Sequence, residues 1–191
     1  MKNQTIKYLA HPTAIVERGA IVGVATRIWH HAHVRAGAII GSLCSLGKNV
    51  YVDAEAVIGD ACKIQNNCSI YAGVTIGDHV FIGPHVTFTN DKYPRADDNW
   101  IRVATLVGDH ASFGAHATVV CGISIGEYAV IGAGAVVVEN VAPYALIVGN
   151  PGRQAGIVCR HGHRMKLGPC GYGCPVCKAR LIVTTTYKVG D

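Results

Sequence analysis

The chain has 191 residues, half of them hydrophobic and 15% charged, which excludes a disordered polypeptide and suits one domain with a sizeable core and a small appendage. Its net charge of +5 is uneven: residues 151–191 hold seven Lys/Arg and one acid, leaving 17 − 7 = 10 bases and 12 − 1 = 11 acids in residues 1–150. A near-neutral body with a basic tail suits a phosphorylated small molecule, and no recognition helix or aromatic-basic platform argues for nucleic acid. No apolar run approaches the roughly 18 residues of a membrane helix, and MKNQTIKYLAHPTAIV has no continuous apolar segment of the kind that marks a signal peptide, so a cytoplasmic protein is expected.

From Val16 to Phe88 every sixth residue is large and apolar: Val16, Val22, Ile28, Val34, Ile40, Leu46, Val52, Ile58, Ile64, Ile70, Ile76, Ile82 and Phe88. Four residues after each anchor runs a second column, mostly small or β-branched, that includes Ala32, Ala38, Cys44, Val50, Cys62 and Cys68. A period of six suits neither an amphipathic helix nor a long strand. It suits short strands joined by tight turns, with two inward residues per unit, and such units bury their faces only by stacking. Glycine often follows the anchor, as in VG, IG and LG.

The rhythm stops after Phe88 and returns as Val107, Phe113, Val119, Ile125, Ile131 and Val137. The step from Phe88 to Val107 is 107 − 88 = 19, one more than three repeats, so the register is expected to reset. The interruption, residues 89–105, contains Asn90, Asp91, Tyr93, Pro94, Arg95, Asp97, Asp98, Trp100 and Arg102. Aromatic rings, carboxylates, amides and arginines in one long loop suit the gripping of a polar ligand.

The tail carries four of the eight cysteines, in CRHGHRMKLGPCGYGCPVC. CPVC places Cys174 and Cys177 on one ion, and Cys159 with His161 completes a closed Cys₃His site of the structural zinc type; His163 and Cys170 compete as ligands. Cys44, Cys62 and Cys68 lie in the inward column and read as inert core thiols, and Cys121 sits in a turn.

The six-residue pattern over about residues 10–150 resembles the hexapeptide-repeat family. The resemblance implies an all-β fold, a left-handed parallel β-helix with triangular coils of three hexads each, carrying one protruding loop and a small C-terminal zinc-binding ribbon. Residues 1–153 would form the β-helix and residues 154–191 the ribbon. On that geometry one corner stacks His31, Asn49, Asn67 and His85, a polar ladder beside which the interruption begins, while the next carries Gly19, Gly37, Glu55 and Gly73 and the third Ala25, Leu43, Ala61 and His79.

TRIWHHAHV (26–34), KIQNN (63–67), FTNDKYPR (88–95) and YALIVGNPGR (144–153) resemble one branch of that family, the N-acetyltransferases that acetylate an amino group on a UDP- or dTDP-linked amino sugar, often a 3-amino sugar. The resemblance implies acetyl-CoA as co-substrate and a homotrimer with sites between subunits. It places Asn90 beside the sugar amine and Asp91 on the sugar or in receipt of a proton, with His31 and His85 as alternative bases. His33, Gln65, Asn67, Tyr93, Arg95 and Arg102 would bind substrate, with Trp29, Tyr51 or Trp100 as further stacking rings. Gly114, Ala115, Gly132 and Ala133 would leave room for pantetheine, and Arg153 would meet the CoA phosphates. An amino-sugar amine is a weak base for an alkylamine, so positioning outranks base catalysis. Three other readings stay open: a hexapeptide O-acetyltransferase, a metal hydratase resembling the γ-class carbonic anhydrases, and a non-catalytic β-helical scaffold.

Overall fold

The computed structural model describes residues 7–96, 101–169 and 171–181. Asp97, Asp98 and Trp100 of the interruption, and the candidate ligand Cys170, lie outside the described residues. Strands of mostly two residues alternate with four-residue turns, and each strand pairs in parallel with the strand one coil away, as Lys63–Ile64 does with Ser45–Leu46 on one side and Phe81–Ile82 on the other. Three parallel faces result. The first runs from Leu9–Ala10 through Arg27–Ile28 to Ala145–Val148, the second from Ile15–Val16 to Val136–Val137, and the third from Ile21–Val22 to Ser124–Ile125. The chain is therefore a parallel β-helix of triangular section.

The core is the two inward columns. From Ile28 to Phe88 every anchor is buried, as are Ala32, Ala38, Cys44, Val50, Cys62 and Cys68 behind them. Full burial of one Ile or Leu side chain stabilises by roughly 1.5–3 kcal/mol, so a run of such anchors, one per hexad, holds the coils together without any long-range hub. Burial pushes the Cys68 thiol up to about 11, which leaves it an inert apolar filler.

The turns are held between coils. Their third residue takes a left-handed conformation, at Asn49 (φ 58°), Asn67 (φ 61°), His79 (φ 57°) and His85 (φ 62°) among others. That region strains an L-residue sterically, and here the strain is offset by its N–H, which donates to the coil before: Asn67 to the Lys48 carbonyl, His79 to Asp60, His85 to Asn66. The glycine after the anchor has a similar cause. A Cβ on Gly77 would stand 2.2 Å from Asp109 Oδ1, a carboxylate that reaches over the glycine to accept the Asp78 N–H at 2.8 Å.

The interruption does not reset the coil. Thr87 pairs with Thr118 and Phe88 with Val119. Neighbouring coils pair at a step of 63 − 45 = 18, as Lys63 does with Ser45, except at the last coil, where Ile131 pairs with Ile147 at 147 − 131 = 16; the step here is 118 − 87 = 31. The excess is 31 − 18 = 13, so the step of 19 from Phe88 to Val107 is one hexad carrying an insertion of thirteen, and stacking continues in register above it. After Ala145–Val148 the chain reverses. Arg153–Ile157 pairs antiparallel with that strand, and the tail then forms a three-stranded antiparallel sheet from Lys166–Gly168, Gly171–Gly173 and Arg180–Leu181.

Candidate active site

The edge between the first and second faces carries the stacked amides and imidazoles. Asn49 Nδ2 donates to Asn67 Oδ1 at 2.9 Å, and Asn67 Nδ2 meets His85 Nε2 at 3.2 Å. The Asn67 atom that faces the ring is its amide nitrogen, which can only donate, so Nε2 of His85 is the acceptor. The ladder continues past the insertion: His85 stacks on His116 with centroids 4.6 Å apart and planes at 3°. His116 is the rung missed in the sequence, because the insertion displaces it from the regular step. His31 stands on the same edge, its N–H donating to Thr13 Oγ1 at 3.1 Å. It is three coils below His85, about 14 Å at the usual ~4.8 Å strand spacing, so the two candidate bases cannot serve one reacting atom within one chain. Gln65 lines a cleft of about 280 Å³ with Trp29, His30, Ser45, Lys48 and Asn66 on the first-face side of this edge.

The loop leaves from the next edge, between the second and third faces. That edge has its own polar column, one rung per coil: Glu17, Arg35, Asp53 and Tyr71, with Thr89 next. Glu17 accepts the Ala36 N–H at 2.9 Å and faces His33 Nε2 at 2.7 Å; Arg35 lies 3.4 Å from both Glu17 and Asp53; Tyr51 donates to Asp53 at 3.0 Å. The Ala36 N–H first, and then His33, hold the Glu17 carboxyl below its usual range. His33, expected on the substrate, therefore belongs to a network on the second face that includes the charges of this edge. All three edges are laddered: the third stacks His79, His110, Tyr128 and Tyr144 with centroids 4.5–5.0 Å apart.

At the root of the loop Asn90 and Asp91 are half-buried. Asp91 Oδ1 accepts the Tyr93 N–H at 3.0 Å, and Asp91 bridges Arg102 backbone to backbone, which closes the loop's neck. Arg102 pairs with Glu55, and its side chain lies across Gly73, where a Cβ would come within 3.1 Å. That contact makes Arg102 an anchor for the loop on its own edge. Beyond the root Tyr93 and Arg95 are exposed, Tyr93 at 75%, with Arg95 donating to the Pro94 carbonyl at 2.8 Å. Asn90 and His85 sit at opposite ends of the strand Thr87–Phe88, on the order of 15 Å apart at ~3.3 Å per residue.

Gly114 and Gly132 stand on the ladder edge above His85. A Cβ on Gly114 would fall 2.4 Å from the Ala133 nitrogen, so coil stacking itself requires this glycine. Arg153 begins the reversing strand, 3.7 Å from Glu139, beside a cavity of about 140 Å³.

The cysteines of the tail converge with one histidine. One ligand atom each from Cys159, His163, Cys174 and Cys177 all lie within 4.8 Å of one another. The measured edges are 3.7 and 3.8 Å from His163 Nδ1 to Cys159 and Cys174, and 3.6 Å between Cys177 and Cys159. Zinc–sulfur bonds of ~2.3 Å in a tetrahedron require sulfur–sulfur edges of ~3.8 Å, so the set fits that ion. The structure brings in His163 where the sequence pointed to His161. Cys159 N–H donates to the His163 carbonyl at 3.0 Å, closing a turn that folds residue 163 back onto the thiols, and His161 stays exposed on its outside. The Cys177 N–H donating to Cys174 Sγ at 3.4 Å is the main cause that brings the Cys174 thiol down to about 6. At Cys177 the Ala179 N–H lowers the thiol, but burial and the thiols of Cys174 and Cys159 outweigh it and the value is raised. Among the described residues this is the one cluster of three or more possible metal ligands, and a three-histidine centre of the hydratase kind is not among them.

Comparison with known proteins agrees with the repeat. The family described as bacterial transferase hexapeptide (six repeats) matches residues 55–90, and the hexapeptide repeat of succinyl-transferase matches residues 37–72 and 105–139. A stretch of 62 residues, 32% of this chain and 32% of the other, is 47% identical to the dTDP-3-amino-3,6-dideoxy-alpha-D-galactopyranose 3-N-acetyltransferase of Aneurinibacillus thermoaerophilus. Over 64 residues, 34% of this chain and 28% of the other, the chain is 39% identical to a chloramphenicol acetyltransferase of Morganella morganii. These matches span about a third of the length of those curated relatives. Among solved structures, PerB from Caulobacter crescentus, determined in complex with CoA and GDP-perosamine, superimposes with a TM-score of 0.53 at 23% identity over 80% of this chain and 58% of that one. That likeness is one of fold.

Proposed function

For this hexapeptide-repeat protein we propose acetyl-CoA-dependent N-acetylation of a nucleotide-linked amino sugar, with a dTDP- or UDP-linked 3-amino sugar as acceptor in the synthesis of a surface polysaccharide or other glycan. The observation that carries the reading is the insertion of thirteen, with FTNDKYPR at its root, in a coil that otherwise steps by eighteen up to its last turn. The 47%-identical relative, a dTDP-3-amino-sugar N-acetyltransferase, supports the choice of acceptor.

In this reaction the unprotonated amine attacks the thioester carbonyl, a tetrahedral oxyanion forms, the C–S bond breaks and the nitrogen loses a proton. Asn90, held half-buried at the loop root, orients the amine or donates to the oxyanion. His85, with Nε2 engaged by Asn67 and its ring backed by His116, is fixed to position the reacting groups, and the proton leaves to water or to the departing thiolate. The exposed Tyr93 and Arg95 suit the nucleotide. Asn90 and His85 lie on opposite edges of the second face, so one chain cannot bring both to one carbon. A homotrimer in which the ladder edge of one copy meets the loop of the next would join them, and would run the small residues Gly114, Ala115, Gly132 and Ala133 beside the cleft for pantetheine, with Arg153 toward the CoA phosphates.

The division into a β-helix (1–153) and a ribbon (154–191) is part of this reading. Cys159, His163, Cys174 and Cys177 would hold a structural zinc ion, closed to substrate, whose chemistry is to fold the ribbon. Among the described residues no helix is long and apolar enough to cross a membrane, and the co-substrates proposed are those of the cytoplasm. Thermal melting tests the reading: acetyl-CoA and a dTDP-3-amino sugar should each raise Tm, and together by more than either alone. No shift with acetyl-CoA at millimolar concentration would remove it.

A further inference from the structure

Residues 151–181 hold six Lys/Arg and no acid. Arg153 faces Glu139, Arg164 donates to the Ala155 carbonyl at 2.6 Å, and Lys178 donates to the Pro175 carbonyl at 3.0 Å. Lys166 and Arg180 have no side-chain hydrogen bond or ion pair among the described residues. Both lie in the ribbon sheet opposite the same residue: Lys166 pairs with Gly173, and Gly173 pairs with Arg180. Residues directly opposite in antiparallel strands project from the same face, so two unpartnered cations flank a glycine. A Cβ on Gly173 would meet nothing within 4 Å, and the backbone between the cations is an open floor. The groove they border has a volume of about 420 Å³, with Pro169 and Pro175 among its walls. Strand spacing sets the two Cα atoms roughly 10 Å apart, and both arms are long enough to converge on one phosphate or to grip a diphosphate. A guanidinium and an ammonium over bare backbone are the donors that phosphate oxygens take.

We propose that this groove on the ribbon is a binding site for the phosphate groups of a nucleotide, with Lys166 and Arg180 as its two cations. CoA, through its 3′-phospho-ADP end, and a nucleotide sugar, through its diphosphate, both carry that chemistry. The site is defined by charge and geometry and does not depend on acetyl transfer.

Calorimetric titration of the 191-residue, zinc-loaded chain tests it with three probes: pyrophosphate, adenosine 3′,5′-bisphosphate and dTDP. The expected result is binding by the unaltered chain that weakens at least ten-fold in Lys166→Ala/Arg180→Ala, while Lys63→Ala, an exposed lysine on the first face, changes it less than two-fold. Both ribbon side chains are exposed, and unchanged zinc content and Tm confirm that the double variant is folded. A stronger response to the bisphosphate assigns the groove to CoA, and a stronger response to dTDP assigns it to the nucleotide sugar. Equal affinity in the double variant and the unaltered chain, or no binding of any probe at millimolar concentration, overturns the proposal. Because binding is read without turnover, this failure is distinguishable from failure of the acetyl-transfer reading.

Discussion

His161 and His163 are close neighbours in the chain and differ in what a turn does with them. Spacing alone allowed either to join Cys159; the hydrogen bond from Cys159 N–H to the His163 carbonyl decides it. His163→Ala should therefore release zinc from the ribbon while His161→Ala retains it, as read by metal analysis after dialysis against a weak chelator. Retention in the His163 variant would displace the proposed ligand set. Glu17 gives a second test at this scale. Its carboxyl is held below the ordinary glutamate range by the Ala36 N–H and His33. A group depressed in the folded state adds stability above its unfolded value, ~4.3, and loses that contribution as pH falls through its lowered folded value. The Tm difference between the unaltered chain and Glu17→Gln should thus be positive at pH 7 and shrink below about pH 4.3. A difference independent of pH would mean the carboxylate does not act through its charge.

At the scale of the element, the insertion is separable from the coil. Deleting residues 91–103, thirteen in all, leaves Val107 six positions after Phe88 and restores the hexad. The shortened chain should keep its β-rich circular dichroism and melt within a few degrees of the parent, yet lose acetyl transfer. Loss of the fold would mean that the loop carries structure as well as substrate. This element shows what sequence reveals in a solenoid. The anchors were legible because each hexad buries its own residues at fixed positions, so thirteen large apolar side chains in step had one explanation. The charged column Glu17, Arg35, Asp53 was less legible, because its rungs differ in type and only a step of one whole coil shows opposite charges meeting. His116 was hidden for a simpler reason: the insertion moves it out of any fixed step, and only the pairing of Thr87 with Thr118 puts it back above His85. The edge from which the loop springs was likewise set by three-dimensional count. The loop lies one strand beyond the amide-imidazole ladder, on the edge of opposite charges.

At the scale of the molecule, that one-strand separation has a consequence for assembly. If Asn90 of one copy works with His85 and His116 of another, variants in the two edges should complement. Mixed trimers of Asn90→Ala and His85→Ala/His116→Ala chains should recover activity, up to about a quarter to a third of the parent by the statistics of random assembly, when each homotrimer is nearly inactive. No recovery in verified mixed trimers would place both edges in separate sites. The ribbon stands apart from this geometry: the zinc proposed for Cys159, His163, Cys174 and Cys177 would bear on its folding, and the proposed Lys166–Arg180 groove on phosphate binding.

The most direct measurement is turnover itself. The 191-residue chain, loaded with zinc, is mixed with acetyl-CoA and, in separate reactions, dTDP- and UDP-linked 3-amino sugars, with free CoA thiol and N-acetylated sugar followed together. Thiol release that depends on the amino sugar, matched mole for mole by an N-acetyl product and reduced at least ten-fold by Asn90→Ala, is the result expected. Acetyl-CoA binding without acetylation of any of these amines, or turnover unchanged in Asn90→Ala, would contradict the site assigned to the insertion.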